Sequence, residues 1–567
     1  MRETNEHTEQ PPVEKPDRRR FLGTVGKAGL GAAAIGAAAP LIDHRSAAVA
    51  QRSRGGSAYY EQRALAAYKF RVDCAQTNLQ PNPAVIRNNN GDEALYPNRI
   101  GNYSKGLVHQ SNGEVDLSSY SSMLAALKTG NPADFESIEL GGGMKLTNPQ
   151  SGLAFDLEGR DAFSFAIPPP PAFASREIAA EIAENYWMAV LRDVPYSEYV
   201  ANPVAAAAAE DLSSFGTDFK GSKDVNGKVT PNVLFRGLTP GDKVGPFISQ
   251  FFYQRCKFGA NEITQKIRTL AGLADGGANY LTDFDSWLAV QNGAIPTNGD
   301  IFDTTLRYIR NGRDMSAWVH VDVLFQAYFL AFLVISSLGV PEDAGNPYRN
   351  SSTQIGFGTF GAPHIATLMC EVATRALKAV WNQKWYVHRR LRPEAFAERV
   401  DRTAFHGAGY PVHQDILNSV SSADRLGGYL SPGNALLPLA YPEGSPTHPS
   451  YGAGHATVAG ACVTILKAWF DESFVIEHPA EPDPSGVTLF PYNGSDTLTV
   501  GGELNKLASN VALGRNTAGV HWRSDGTESM KLGEAIAISV LRDQKLGYNE
   551  VFNGFNLTKF DGTSVIV

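Results

Sequence analysis

Cysteine is scarce: Cys74, Cys256, Cys370 and Cys462 are the only four in 567 residues. So few, so scattered, exclude a disulfide framework; a single bridge stays open, and spacing does not choose it. None forms a C-x-x-C pair, which removes zinc and iron–sulfur sites of that kind. Basic residues are not in excess either, since 50 Lys and Arg against 58 Asp and Glu give a formal charge of −8. That is the wrong sign for a nucleic-acid partner. Strand-like alternation is rare before the tail, and no repeat of fixed period runs along the chain. One long apolar run, 318–338, contains His320, Asp322 and Gln326 and lacks flanking Lys or Arg clusters. It reads as a buried core helix rather than a membrane span.

What is present is the 43% hydrophobic content of a globular protein, at a length that supports a large core. Residues 1–50 read as an export signal: Arg18-Arg19-Arg20-Phe21-Leu22 fits a twin-arginine pattern, an Ala/Gly segment follows, and Ala48-Val49-Ala50 offers a cleavage site. The mature chain is therefore expected in the periplasm or outside the cell. Residues 51–161, rich in Gly, Asn, Pro and Ser, read as an irregular surface arm with a few short helices. Residues 162–550 read as a helical-bundle catalytic domain. Its predicted helices cover 175–194, 203–215, 246–257, 283–291, 303–309, 317–338, 363–390, 456–470, 503–515 and 525–544. Residues 551–567 read as a tail whose two short strands flank Asp561-Gly562, a hairpin signal. The fold class is mainly α: helical bundles with a small C-terminal β-hairpin.

Three segments each bring cations or imidazoles to a helix end. The first is Lys384-Trp-Tyr-Val-His388-Arg-Arg-Leu-Arg392-Pro393. The helix should end near Leu391, because a residue before proline is pushed out of αR. Lys384 and Arg392, two turns apart, are separated by about 800° and so face within roughly 80° of each other. The second is His448-Pro449-Ser450-Tyr451-Gly452-Ala453-Gly454-His455. This tight loop runs into a helix, whose first N–H groups favour an oxyanion that glycine lets approach closely. His455 there suits acid or base work near neutral pH. The third is Arg515-Asn-Thr-Ala-Gly519-Val-His521-Trp-Arg-Ser-Asp525. Arg515 can fork two donors onto an oxyanion, and Asp525 lies one helical turn after His521.

Together these segments resemble the vanadium-dependent haloperoxidase family and its acid-phosphatase relatives. The pattern there is Lys…Arg-Pro, then Pro-Ser-Gly-His, then Arg-x5-His-x3-Asp. The long gap from Lys384 to Arg392, and His448 seven residues before His455, resemble the algal bromoperoxidase branch. The resemblance implies a vanadate cofactor bound axially by His521. Lys384, Arg392, Arg515 and the Gly454 N–H would neutralise its equatorial oxygens, and His455 would be acid and base beside the apical oxygen. Lys384 would also polarise bound peroxide, and His448 would lie near the cofactor and influence halide choice. Asp525 would support His521, and Asp322 would pair with Arg515 or His455. The substrates implied are hydrogen peroxide, a halide (bromide or iodide) and a small organic acceptor. A homo-oligomer is expected.

The chain departs from the family pattern at Gly452, in place of proline, and at Ala453, in place of serine. Gly452 should loosen the loop. Ala453 should remove one hydrogen bond to the oxyanion, worth on the order of 1.5–3 kcal/mol for a charged partner. Two other readings share the same residues. One is an exported acid phosphatase with His521 as nucleophile and His455 as leaving-group acid. The other is an inactive oxyanion-binding protein.

Overall fold

The computed structural model describes residues 58–80 and 87–567, so the twin-arginine and cleavage motifs lie outside the described residues. The chain divides into a unit of residues 1–72 and a unit of residues 73–567. The helix Ala58–Leu79 starts in the first and ends in the second. The second unit contains all three segments, 384–393, 448–455 and 515–525.

Helices dominate this second unit. The central one is Gly454–Trp469, whose apolar side chains are buried on all sides. It packs against Ala362–Asn382, Val500–Thr517 and Arg523–Gly547. Its closest approach, to Arg523–Gly547, depends on two glycines. A Cβ on Gly460 would lie 2.1 Å from the Met530 carbonyl oxygen, and one on Gly533 would lie 2.0 Å from that of Thr457. Only a residue without a side chain lets the two backbones touch.

Local sequence explains where several helices begin. Ser175 caps Arg176–Val190 by accepting from the Ile178 N–H at 3.3 Å. Asn202, Asp283 and Thr499 cap Pro203–Ser214, Phe284–Gln291 and Val500–Thr517 in the same way. Apolar side chains collect in two clusters. One surrounds the central helix and includes Trp385, Tyr451 and Ala453. The other surrounds Arg176–Val190 and includes Leu391, Phe396, Val520 and Trp522. Segment 384–392 passes from the first cluster, at Trp385, to the second, at Leu391, while Ala518, Val520 and Trp522 lie in the second.

Four helix expectations need correction. Residues 246–257 form a 3-10 turn, Gln250–Phe252, and a strand, Cys256–Phe258, paired with Asn261–Ile263. There the apolar Phe251 and Phe252 are buried by one turn rather than by a helical stripe. Residues 303–309 supply the strand Phe302–Arg307, paired with Ile267–Leu270. Its β-branched Thr304 and Thr305 suit a strand. The run 317–338 breaks into Gly312–Trp318 and Gln326–Ser337 around a loop, 319–325. The helix expected over 363–390 ends as a π-turn, Gln383–His388, with Arg389 at φ 43°.

The 51–161 segment carries the helix Leu117–Thr129, and its Tyr103, Leu107, Tyr120 and Met123 are buried in the first apolar cluster. That burial differs from a surface arm. The tail pairs Asn556–Thr558 with Ser564–Ile566 in register Leu557 to Val565. Gly562 at φ 81° makes the turn. All four cysteines are free. Among the described residues no helix is long and apolar enough to cross a membrane.

Candidate active site

His521 follows Gly519, whose φ of 86° turns the chain between the helices Val500–Thr517 and Arg523–Gly547. Asp525 thus sits in the first turn of the second helix. Its Oδ2 accepts from His521 Nδ1 at 2.8 Å and from the Trp522 N–H at 3.1 Å. Ser450 Oγ donates to the same oxygen, and Arg390 Nη1 donates to Oδ1 at 2.9 Å. A carboxylate only accepts, so the His521 proton is on Nδ1 and the Nε2 lone pair is left available. That lone pair faces Arg392 Nη1 at 3.0 Å.

Arg392 reaches this place differently from the helical-wheel expectation. It lies beyond the helix that holds Lys384 and is itself the extended N-cap of Pro393–Phe405. Its Nε donates to the His448 carbonyl at 3.0 Å, its Nη1 to the Val520 carbonyl at 2.6 Å, and its Nη2 to His448 Nδ1 at 2.9 Å. His448 Nδ1 also lies 3.1 Å from the Pro449 carbonyl, so this nitrogen sits between a donor and an acceptor. Lys384 Nζ donates to the carbonyls of Pro449 and Ser450 at 2.8 and 2.9 Å. Arg515 Nη1 donates to the Val319 carbonyl at 2.8 Å, while its Nε is buried and takes no partner. His455, in the first turn of the central helix, gives its Nε2 proton to Asp322 Oδ1 at 2.9 Å. Of the two partners expected for Asp322, His455 is the one it meets.

Burial, with the charges of Arg392, Lys384 and Arg515 added, holds His521 well below the ordinary imidazole range. Burial and Lys384 do the same to His448. His455 is lowered by burial although Asp322 pulls the other way. Burial and Arg392 push the Lys384 ammonium well below its usual range, and burial and Arg515 push Arg392 down to about 10. Lys384, Arg392 and Arg515 give their N–H groups to carbonyls and imidazoles, not to carboxylates. Buried positive charge without a paired anion is costly. The cluster therefore suits a multiply charged anion. The start of the central helix adds to this, because Ala453 provides no side-chain cap and leaves first-turn N–H groups such as that of Gly454 to an anion.

The loop before that helix is not loosened by Gly452. Tyr451 and Ala453 are each 1% exposed. Ser529 Oγ accepts from the Ala453 N–H at 2.7 Å, and a Cβ on Gly452 would lie 2.3 Å from that hydroxyl. Ser529 ties the loop and occupies the space that a larger residue at 452 needs.

Sequence reasoning gave no role to Arg390, Ser450, Glu181 or Tyr441. Arg390 bridges Asp525 and Glu181, the latter at 2.7 Å, so it fixes the group that orients His521. Its signal was a basic residue within the first segment. Glu181, on a distant helix, left no signal. Tyr441 lies against the Arg515 guanidinium, 5.7 Å from its ring centre.

Comparison with known proteins places the chain. A family model described as the VCPO second helical-bundle domain matches residues 365–547. A vanadium-dependent bromoperoxidase of Corallina pilulifera is 37% identical, over 89% of this chain and 98% of the relative. A vanadium-dependent bromoperoxidase of Ascophyllum nodosum is 33% identical, over 88% and 93%. The solved homohexameric structure of the second vanadate-dependent bromoperoxidase of A. nodosum superposes with a TM-score of 0.84 at 31% identity, covering 90% of this chain and 92% of that one.

Proposed function

Because the chain belongs to the vanadium-dependent bromoperoxidase family, we propose a division of labour among its residues for vanadate-dependent oxidation of halide by hydrogen peroxide. The protein is a vanadium-dependent haloperoxidase, and vanadate is its cofactor. The phosphatase and the inactive binding protein are not favoured.

The observation that carries the assignment of residues is the set of three buried cations without carboxylate partners around a histidine whose unprotonated Nε2 is met only by the movable Arg392 guanidinium. His521 Nε2 would ligate vanadium, and Lys384, Arg392, Arg515 and the Gly454 N–H would neutralise its oxygens. When bound, vanadate supplies a Lewis-acidic centre that takes up peroxide and makes it electrophilic toward halide. The net reaction, X⁻ + H2O2 + H⁺ → HOX + H2O, consumes a proton. His455, kept neutral by burial and oriented through Nε2 by Asp322, is placed to take that proton from solvent and pass it to the oxygen that leaves as water. Lys384 polarises peroxide from one side. His448, held by Arg392 and set against Trp381 with ring centres 4.8 Å apart and planes tilted by 43°, borders the halide. Bromide or iodide is the halide, and a small organic molecule accepts the oxidised product. The mature chain acts outside the cytoplasm after twin-arginine export, as a homo-oligomer.

The test uses purified protein with vanadate, peroxide and bromide or iodide, following halogenation of a phenolic dye. Vanadate-dependent turnover that His521→Ala abolishes supports the reading. Hydrolysis of a phosphate ester without halogenation overturns it in favour of the phosphatase. Vanadate binding without either activity overturns it in favour of the inactive protein.

A further inference from the structure

The loop 319–325 delivers two groups to the site: the Val319 carbonyl to Arg515 and the Asp322 carboxylate to His455. Little in its own backbone holds it there. Its N–H bonds are local, Val319 to Met315 at 3.1 Å, His320 to Ala317 at 3.4 Å and Val323 to the Gln326 side chain at 3.4 Å. Two of its apolar side chains face solvent, Val321 at 72% and Val323 at 56% exposure. The ends of the loop are seated, Val319 being buried and Leu324 and Phe325 packing on the first apolar cluster. The middle, 320–323, is the part that needs a side-chain anchor to keep a carboxylate within hydrogen-bond distance of a catalytic imidazole.

His320 provides one. Its Nε2 meets Glu443 Oε1 at 2.6 Å and its Nδ1 meets Asp300 Oδ2 at 3.0 Å. Its ring stacks on Tyr441 with centroids 3.7 Å apart and planes 10° from parallel. Two of these three partners, Glu443 and Tyr441, are tied in turn. Lys105 Nζ donates to the Glu443 carbonyl at 2.5 Å and to Glu394 at 2.8 Å, and Tyr441 OH donates to the Ser316 carbonyl at 2.7 Å. Tyr441 also lies against Arg515. The clamp thus reaches Arg515, the donor to the Val319 carbonyl, and holds the residue two before Asp322.

We propose that His320 is a positioning residue for halide oxidation: gripped by Asp300 and Glu443 on the face of Tyr441, it holds the loop that presents Asp322 to His455 and the Val319 carbonyl to Arg515. The inference rests on the acid–base role proposed for His455. His320 touches no reacting atom; it acts through Asp322. Loss of the clamp lets the Asp322 carboxylate swing away, so the imidazole loses its fixed orientation, and the chemical step suffers more than halide binding does.

The test is a double-mutant cycle with His320→Phe, which keeps the stacking and removes both polar contacts, and Asp322→Asn. In wild-type background His320→Phe should lower kcat about tenfold, a part of what a positioned acid–base group contributes, with KM for bromide within about threefold. In the Asp322→Asn background it should lower kcat no further, because both act through one contact. In vanadate-free protein, amide exchange across 320–326 should quicken while the central helix keeps its protection. Unchanged kcat, or losses that multiply across the cycle, overturn the inference. If His320→Phe fails to fold, His320→Gln carries the same cycle and is judged by the same outcomes. Failure of the underlying reading looks different: wild type without vanadate-dependent halogenation, or Asp322→Asn at full activity, removes the role of His455 itself.

Discussion

Replacing Asp525 by asparagine removes one charge and almost no volume, yet the surroundings leave the amide no good orientation. Oδ2 receives His521 Nδ1, the Trp522 N–H and Ser450 Oγ, and Oδ1 receives Arg390 Nη1. With the amide NH2 toward Arg390, two donors face each other in a site with no exposure, since Asp525 is 0% exposed. With the NH2 toward His521, the imidazole must move its proton to Nε2, where Arg392 Nη1 already donates at 3.0 Å. That tautomer has no lone pair for vanadium. Losing a hydrogen bond from a charged partner costs about 1.5–3 kcal/mol of stability. Disturbing the group behind a ligating histidine weakens cofactor binding by about 10–100-fold. Equilibrium dialysis of vanadate against Asp525→Asn and wild type measures the second effect, and urea unfolding of the apoproteins measures the first. Vanadate affinity equal to wild type, in a folded variant, would refute the reasoning that Asp525 sets the His521 tautomer.

The same contacts predict further outcomes. Ala453→Ser restores a hydroxyl beside the oxyanion site and should tighten vanadate binding by about 1.5–3 kcal/mol, read by the same dialysis; weaker binding would mean that Ser529 has claimed the space. Gly533→Ala drives a Cβ into the Thr457 carbonyl and should cost about 1–3 kcal/mol through overpacking, seen as a lower urea midpoint at unchanged slope. His388 is buried with neither ring nitrogen partnered and is pushed down to about 3 by burial and Arg389. The unfolded chain takes up its proton near pH 6.5 and the folded chain does not, so the group erodes stability as pH falls from about 6.5 toward 3, by about 1.4 kcal/mol per pH unit. His388→Phe should flatten that slope in melting curves taken from pH 7 to 5; an unchanged slope would show that the imidazole titrates elsewhere.

The third segment was legible because its logic is local. Gly519 turns the chain, the helix starts at Arg523, and Asp525 meets His521 four residues back. The Gly454 helix start was legible for the same reason. Lys384 and Arg392 were named from their charge and spacing, but the wheel argument described a helix that does not reach Arg392. A left-handed Arg389 and an extended cap bring it in instead, and no periodicity encodes that. The loop 319–325 was hidden because its apolar residues continue a helical pattern. The loop meets Arg515 and His455, far along the chain, and no local pattern announces those contacts. Glu181 and Glu443 reach Arg390 and His320 from distant positions, so tertiary packing alone assigns them.

A crystal of the protein soaked in vanadate tests the central claim most directly. The account predicts vanadium bonded to His521 Nε2, with Arg392 drawn off that nitrogen onto the cofactor's oxygens and Lys384 and Arg515 beside it. Vanadate bound elsewhere, or His521 Nε2 still held by Arg392 in the loaded protein, would contradict it.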